Sequence, residues 1–314
     1  MSTLAFSVNA VVPVFIIILL GLFLRRRGII DAQFVAVSQK VVFMIALPAL
    51  IFESIASTDP GEVLDGPLIA FALGGTLAVF LLTWLVGRYL IPNRQSLGAF
   101  IQGTYRSNFA IIGLPIIGSM FGAAGAAKGA IVLSLAMPLY NVLAVIILSV
   151  TAPRSGEIDF AAIVRNILKN PLIIASVAGI ACALLRVRLP VVAVKSIGYL
   201  TDISVPLALL GIGGSFSAGR FREKLRLSLA ATFLKILFFP VVLVGLSALV
   251  GLRGSSLGVL FIFFASPTAV SSYIMAKAMD SDADLAGQIV MLTTLGSVLT
   301  IFAGVFVLKG MGVI

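Results

Sequence analysis

The sequence predicts an all-α polytopic membrane protein of about ten transmembrane helices, and three observations carry that prediction. Of its 314 residues, 60% are hydrophobic and only 11% are charged, whereas roughly a quarter of a soluble domain is charged. The mean hydropathy of +1.18 makes lipid, not water, the solvent for most of its surface. Apolar stretches of about twenty residues, the length that crosses a bilayer core, recur along the whole chain.

Taken in order, the stretches fall near residues 4–24, 34–55, 67–91, 96–120, 127–150, 167–187, 198–217, 227–250, 255–279 and 284–308. The first begins at Leu4, has no basic residue before it and is followed by Arg25, Arg26 and Arg27, so it reads as a membrane span and not as a cleaved signal. The connections after odd-numbered spans carry 13 Lys and Arg residues and the other face 6. By the positive-inside bias, the odd connections are expected in the cytoplasm and both termini outside. The connection after span 2, with Asp59, Glu62 and Asp65, agrees.

The longest polar connection, residues 151–169, divides the chain into five spans before it (1–150) and five after it (170–314). An odd number per block means that related halves insert in opposite senses, as two inverted five-helix repeats. Prolines recur at corresponding places. Pro48 in span 2 matches Pro206 in span 7, and Pro115 in span 4 matches Pro267 in span 9. Pro115 and Pro267 are flanked by polar stretches, and proline removes a helix donor. Spans 4 and 9 are therefore expected to open near Gly113 to Pro115 and Ser266 to Thr268. Glycine at Gly21, Gly74 and Gly75 suggests close helix packing, including that of a homodimer.

Composition also excludes classes. The chain has no histidine and one cysteine, Cys182, which removes histidine relays, Ser-His catalysis and an internal disulfide. No cofactor or metal set is expected, nor an enzyme. The net charge of +10 lies in short clusters between apolar spans, not in a basic domain that would bind nucleic acid. There is no phosphate-binding loop for ATP. A secondary carrier fits best, and an anion channel or a non-transporting membrane receptor is the alternative.

The strings LPALIF, RSNFAIIGLPI, KNPLIIASVAGI, VPLALLGIG and ASPTAVSSYIMA, in this order in spans 2, 4, 6, 7 and 9, resemble the auxin efflux carrier family. That family includes plant PIN carriers and bacterial malonate or organic-acid permeases. The resemblance implies a fold akin to sodium/proton antiporters and bile-acid transporters, with broken helices 4 and 9 crossing at the substrate site. It also implies a small organic anion as substrate, a homodimer and, for a bacterial member, the inner membrane. The short central loop, unlike that of many plant members, argues against regulation through it.

Arg106 is the most informative residue. A guanidinium within a span is costly unless it meets a cavity or a partner, and its fork matches a carboxylate. Snorkelling to the nearby interface is the competing explanation. Ser107 and Asn108, the Gly113–Pro115 stretch, and Ser266, Pro267, Thr268, Ser271 and Ser272 complete the expected substrate site. Glu53 and Asp202 are the carboxylates that could couple transport to H+ or Na+. Lys235, deep in span 8, reads as structurally paired, and Asp280, Asp282 and Asp284 as a solvated turn capping span 10.

Overall fold

The computed structural model describes residues 16–57, 65–152, 164–165, 168–187, 189–214 and 218–314. Residues 1–15 of the first span, the acidic Asp59 and Glu62, and most of the expected linker at 151–169 lie outside the described residues.

Among the described residues the regular structure is helical. It comprises α1 (16–26), α2 (Ala32–Val41, a π turn Val42–Ala46, then Leu47–Ala56), α3 (Gly66–Leu90), α4 (Arg94–Tyr105), and a π turn Phe109–Gly113 leading into Leu114–Val150. Gly122, at φ 66° and ψ −160°, turns the chain inside that last stretch. Its two arms are α5 (114–121) and α6 (Ala124–Val150). They fold back on each other, with Gly129 against Leu114 and Ile117. Then follow α7 (Pro171–Leu184), α8 (Val191–Gly214), α9 (Ala218–Phe233, a π turn Leu234–Phe238, then Phe239–Leu249), α10 (Gly254–Ala265), α11 (Ser271–Ala278) and α12 (Ala283–Gly310). Ala32–Glu53, Gly66–Leu90, Ala124–Val150, Val191–Gly214, Arg222–Leu249 and Ala283–Gly310 are long and apolar enough to cross a membrane, and α7 and α10 are shorter apolar helices. This is a polytopic helical membrane protein.

Starts of helices follow local chemistry. Asp31, Asp65, Asn93, Asn170 and Asp282 each accept a backbone N–H from the first turn they precede, satisfying a donor that has no intrahelical partner.

Prolines act differently from expectation. At Pro48, Pro115 and Pro240 the helix does not open. Each follows a π turn whose closing bond runs five residues back, from Leu47 to Val42, Leu114 to Phe109 and Phe239 to Leu234. Widening one turn accommodates the missing proline donor without ending the helix. Pro206 sits within the continuous α8. The expected opening at Gly113 to Pro115 is thus corrected: the chain leaves the helical path at Arg106–Asn108, a stretch with no proline. In span 9 the opening does include Pro267, between α10 and α11.

Two groups of helices share the fold. α2 packs on α7 and α8, while α3, α4, α6 and α9 to α12 pack among themselves. In the first group α1 lies on α8 with backbone against backbone: a Cβ on Gly21 would overlap Leu210, and one on Gly213 would overlap the Ile18 carbonyl. Gly75 faces Phe264 and Leu243. Gly21 and Gly75 are therefore spent on packing inside the protomer, not offered to a second copy. Gly74 has open space beside it.

Candidate functional site

The two openings meet. Ser107 and Thr268 form an antiparallel bridge, and the Asn108 N–H donates to the Pro267 carbonyl at 2.7 Å. Interrupted helices leave backbone groups that must find partners in a medium without water, and here each break supplies partners for the other. Ser107 Oγ donates to the Phe263 carbonyl at 2.8 Å, and Thr268 Oγ1 to the Gly103 carbonyl at 2.6 Å. Thr268 N–H donates to Thr293 Oγ1 of α12 at 3.1 Å. Phe109 and Tyr140 pack against Phe263 beside the crossing, edge-on and stacked respectively.

A cavity of about 60 Å³ lies between the two groups of helices. Arg106, Ser107, Asn108 and Asn141 bring polar atoms to it, and Ala269 to Ser271 and the apolar Leu47, Ile51 and Val205 complete its lining. Arg106 is 4% exposed. Its Nη2 donates to Asn141 Oδ1 at 2.8 Å and its Nη1 to Met275 Sδ. Asn141 in turn donates to Ser176 Oγ at 3.3 Å. An amide oxygen and a thioether are neutral acceptors. Among the described residues the ion pairs are Lys128–Asp65 at 3.3 Å and Lys224–Asp282 at 2.8 Å, and neither includes Arg106. A buried guanidinium beside a cavity, hydrogen-bonded to neutral acceptors, has the chemistry to receive an anion.

Of the residues expected at the site, Arg106, Ser107, Asn108 and Ser271 line this cavity. Pro267 contributes a carbonyl to the crossing, and Thr268 is engaged with Gly103. Ser266 donates back to Ile262 within its own helix, and Ser272 is fully buried. Gly113 packs against Phe109 and Ser266 and, with Pro115, lies on the helical path beyond the break. Glu53 is half-buried and Asp202 is exposed; neither lines the cavity. Lys235 is paired as expected, but to the Phe264 carbonyl at 3.2 Å and not to a carboxylate. Asn141 and Met275 escaped the sequence reading. Asn141 carried the signal that had singled out Arg106, a polar side chain inside an apolar span.

At one end of the molecule a vestibule of about 770 Å³ is lined by both signs of charge, Arg25, Lys224 and Lys277 together with Glu223, Asp280, Asp282 and Asp284, and by Asn93 and Tyr273. Tyr273 lies one turn from the cavity and donates to the Gly211 carbonyl at 3.2 Å, while the Gln39 amide packs on Gly211 and donates to the Leu207 carbonyl. Asp282, expected to be solvated, is held by Lys224, by Ser96 Oγ at 2.6 Å and by the Leu285 N–H. Burial pushes its carboxyl pKa up, but these contacts outweigh burial and hold it below the usual range. At the opposite end, Asp65 joins Lys128 and Ser256 in the same way, with its pKa also held low against the raising effect of burial.

A crossing of two interrupted helices around a cationic cavity, inside an apolar bundle, is the architecture of a membrane transport protein. The family described as membrane transport protein matches residues 6–163 and 158–303. The chain belongs to that family, the one that holds the auxin efflux carriers. It is 25% identical over 302 residues to an uncharacterized transporter of Methanocaldococcus jannaschii, covering 93% of this chain and 96% of the relative. It is 23% identical over 307 residues to the Rhizobium meliloti protein named "Putative malonate transporter", covering 95% of each. It is 28% identical over 119 residues to the rice protein named "Probable auxin efflux carrier component 3b", covering 36% of this chain and 20% of that one.

Proposed function

We propose that this protein is a secondary carrier that moves a small organic anion across the membrane by alternating access. The anion is a mono- or dicarboxylate such as malonate, or an auxin-like acid. The single observation that carries the reading is Arg106, buried at the edge of the cavity with neutral partners among the described residues. A charge in a low-dielectric site is stabilised by a counter-ion, and a substrate carboxylate supplies one. The Rhizobium meliloti and rice relatives bear the names of anion carriers, which supports the same substrate class.

The proposed frame is ten membrane segments, with residues 1–150 and 170–314 as inverted five-helix repeats joined by a cytoplasmic linker and with both termini outside. Its support is that the interrupted segments, α4/α5 and α10/α11, are each the fourth in their half. Alternating access then moves one helix group against the other around the crossing, with Tyr273, Gly211 and Gln39 closing the path to the vestibule. The coupling ion and the homodimer stand as further parts of this reading.

The test is counterflow of labelled malonate or another carboxylate in liposomes. Saturable exchange is expected in the parent. Arg106→Lys keeps the charge but loses the planar fork. Losing one charge-assisted hydrogen bond costs about 1.5–3 kcal/mol, so apparent affinity is expected to fall by roughly one to two orders of magnitude. Folded Arg106→Lys and Arg106→Ala proteins that exchange like the parent would overturn the assignment. Unitary ionic current would indicate a channel.

A further inference from the structure

The opening at Pro267 deprives two successive carbonyls at the end of α10 of their ordinary helical donors. Phe263 O would pair with residue 267, a proline with no N–H, and it receives Ser107 Oγ instead. Phe264 O would pair with the Thr268 N–H, which donates to Thr293 Oγ1. Its donor is the ammonium of Lys235, at 3.2 Å.

Lys235 reaches this carbonyl from the π turn Leu234–Phe238 of α9 and is 2% exposed. Among the described residues neither ion pair includes it. Its charge is set instead against the negative end of the half-helix dipole, where the last carbonyls point away from the helix. Carriers built from interrupted helices hold a coupling alkali cation at such unwound carbonyls and half-helix C-termini. An ammonium has the same charge and seeks the same oxygens.

We infer that Lys235 is a tethered cation that fills the alkali-cation seat at this crossing. The crossing is then electrostatically complete without sodium or any other free cation. Removing the amine leaves a place of the right charge and acceptor chemistry for one. The inference concerns the cation side of the crossing, and its test uses no organic substrate, so it stands or falls separately from the choice of anion.

The experiment is thermal melting of the purified protein in choline chloride and in sodium, lithium or potassium chloride at equal ionic strength. The parent is expected to melt at the same temperature in all four. Lys235→Ala is expected to melt several degrees lower in choline and to regain part of the loss, saturably, in at least one alkali chloride. Lys235→Met, which fills the space without charge, is expected to melt low with no such recovery. A saturable rise for the parent when sodium replaces choline overturns the inference, and this holds even if no variant can be purified. So does Lys235→Ala melting with the parent in choline, or recovering in none of the alkali salts.

Discussion

The Asn108 N–H and the Pro267 carbonyl, 2.7 Å apart, join two helix breaks that lie 159 residues apart in the sequence. Neither break is stable in lipid alone, because each exposes backbone groups that water cannot reach. Together they satisfy each other, and the side chains beside them are held at the cavity as a consequence.

Ser107 and Ser266 look alike in sequence but should respond differently to removal of the hydroxyl. Ser107→Ala leaves the Phe263 carbonyl without its donor, and an unsatisfied buried acceptor costs about 1–3 kcal/mol. The Ile262 carbonyl keeps the Ser266 N–H at 2.9 Å when the Ser266 hydroxyl is lost. Ser266→Ala is therefore expected to melt close to the parent and Ser107→Ala clearly below it. Equal midpoints would mean that the Ser107 bond is dispensable.

Asp282 gives the protein an acid limit. Its carboxyl is lowered in the folded state, so the unfolded chain binds the proton more readily, and folding is favoured above the unfolded value of about 3.9. That contribution is fully present above this value and is lost as pH falls through the lower folded one. Asp282→Asn removes it. The variant should melt lower than the parent at neutral pH, and the gap should narrow below about pH 4. A gap that stays constant from pH 6 to pH 3 would show that the Lys224–Asp282 pair does not link protonation to stability.

The helical, membrane-spanning character of the fold was legible because lipid imposes simple rules on apolar length and on polar residues inside spans. These marked the long apolar helices, the polar residues Arg106, Ser107 and Asn108, and the region of Pro267. Proline was a poorer guide. Three prolines follow π turns and two, Pro138 and Pro206, sit within continuous helices, whereas the break at Arg106–Asn108 has no proline and exists through its tertiary pairing with Thr268 and Pro267. Pairings of that kind leave no local trace. The same holds for Lys235, whose partner is a backbone carbonyl that only the break makes available.

Gly213 tests the seam between α1 and α8. A methyl group there would overlap the Ile18 carbonyl, which is backbone and cannot swing aside. Overpacking typically costs about 1–3 kcal/mol, so Gly213→Ala should lower the melting midpoint. Gly245→Ala, with open space beside the residue, should not. A Gly213→Ala protein as stable as the parent would mean that α1 can move away from α8 without loss.

An Asn141→Asp substitution would supply Arg106 with the carboxylate partner it lacks among the described residues. Asn141 Oδ1 already sits 2.8 Å from Nη2, and aspartate has nearly the same shape. Asn141→Asp therefore places a carboxylate where the guanidinium now meets a neutral amide. Breaking a buried ion pair costs about 3–5 kcal/mol, and completing one around an isolated charge should run in the opposite direction, raising the melting midpoint. The new carboxylate also competes with a bound anion for the same fork, so carboxylate affinity should fall tenfold or more, a loss of about 1.4 kcal/mol per factor of ten. Asn141→Leu separates the two effects: it removes the amide without adding charge, so it should lose stability together with affinity. An Asn141→Asp protein that is more stable yet binds the carboxylate as tightly as the parent would show that the substrate does not meet Arg106.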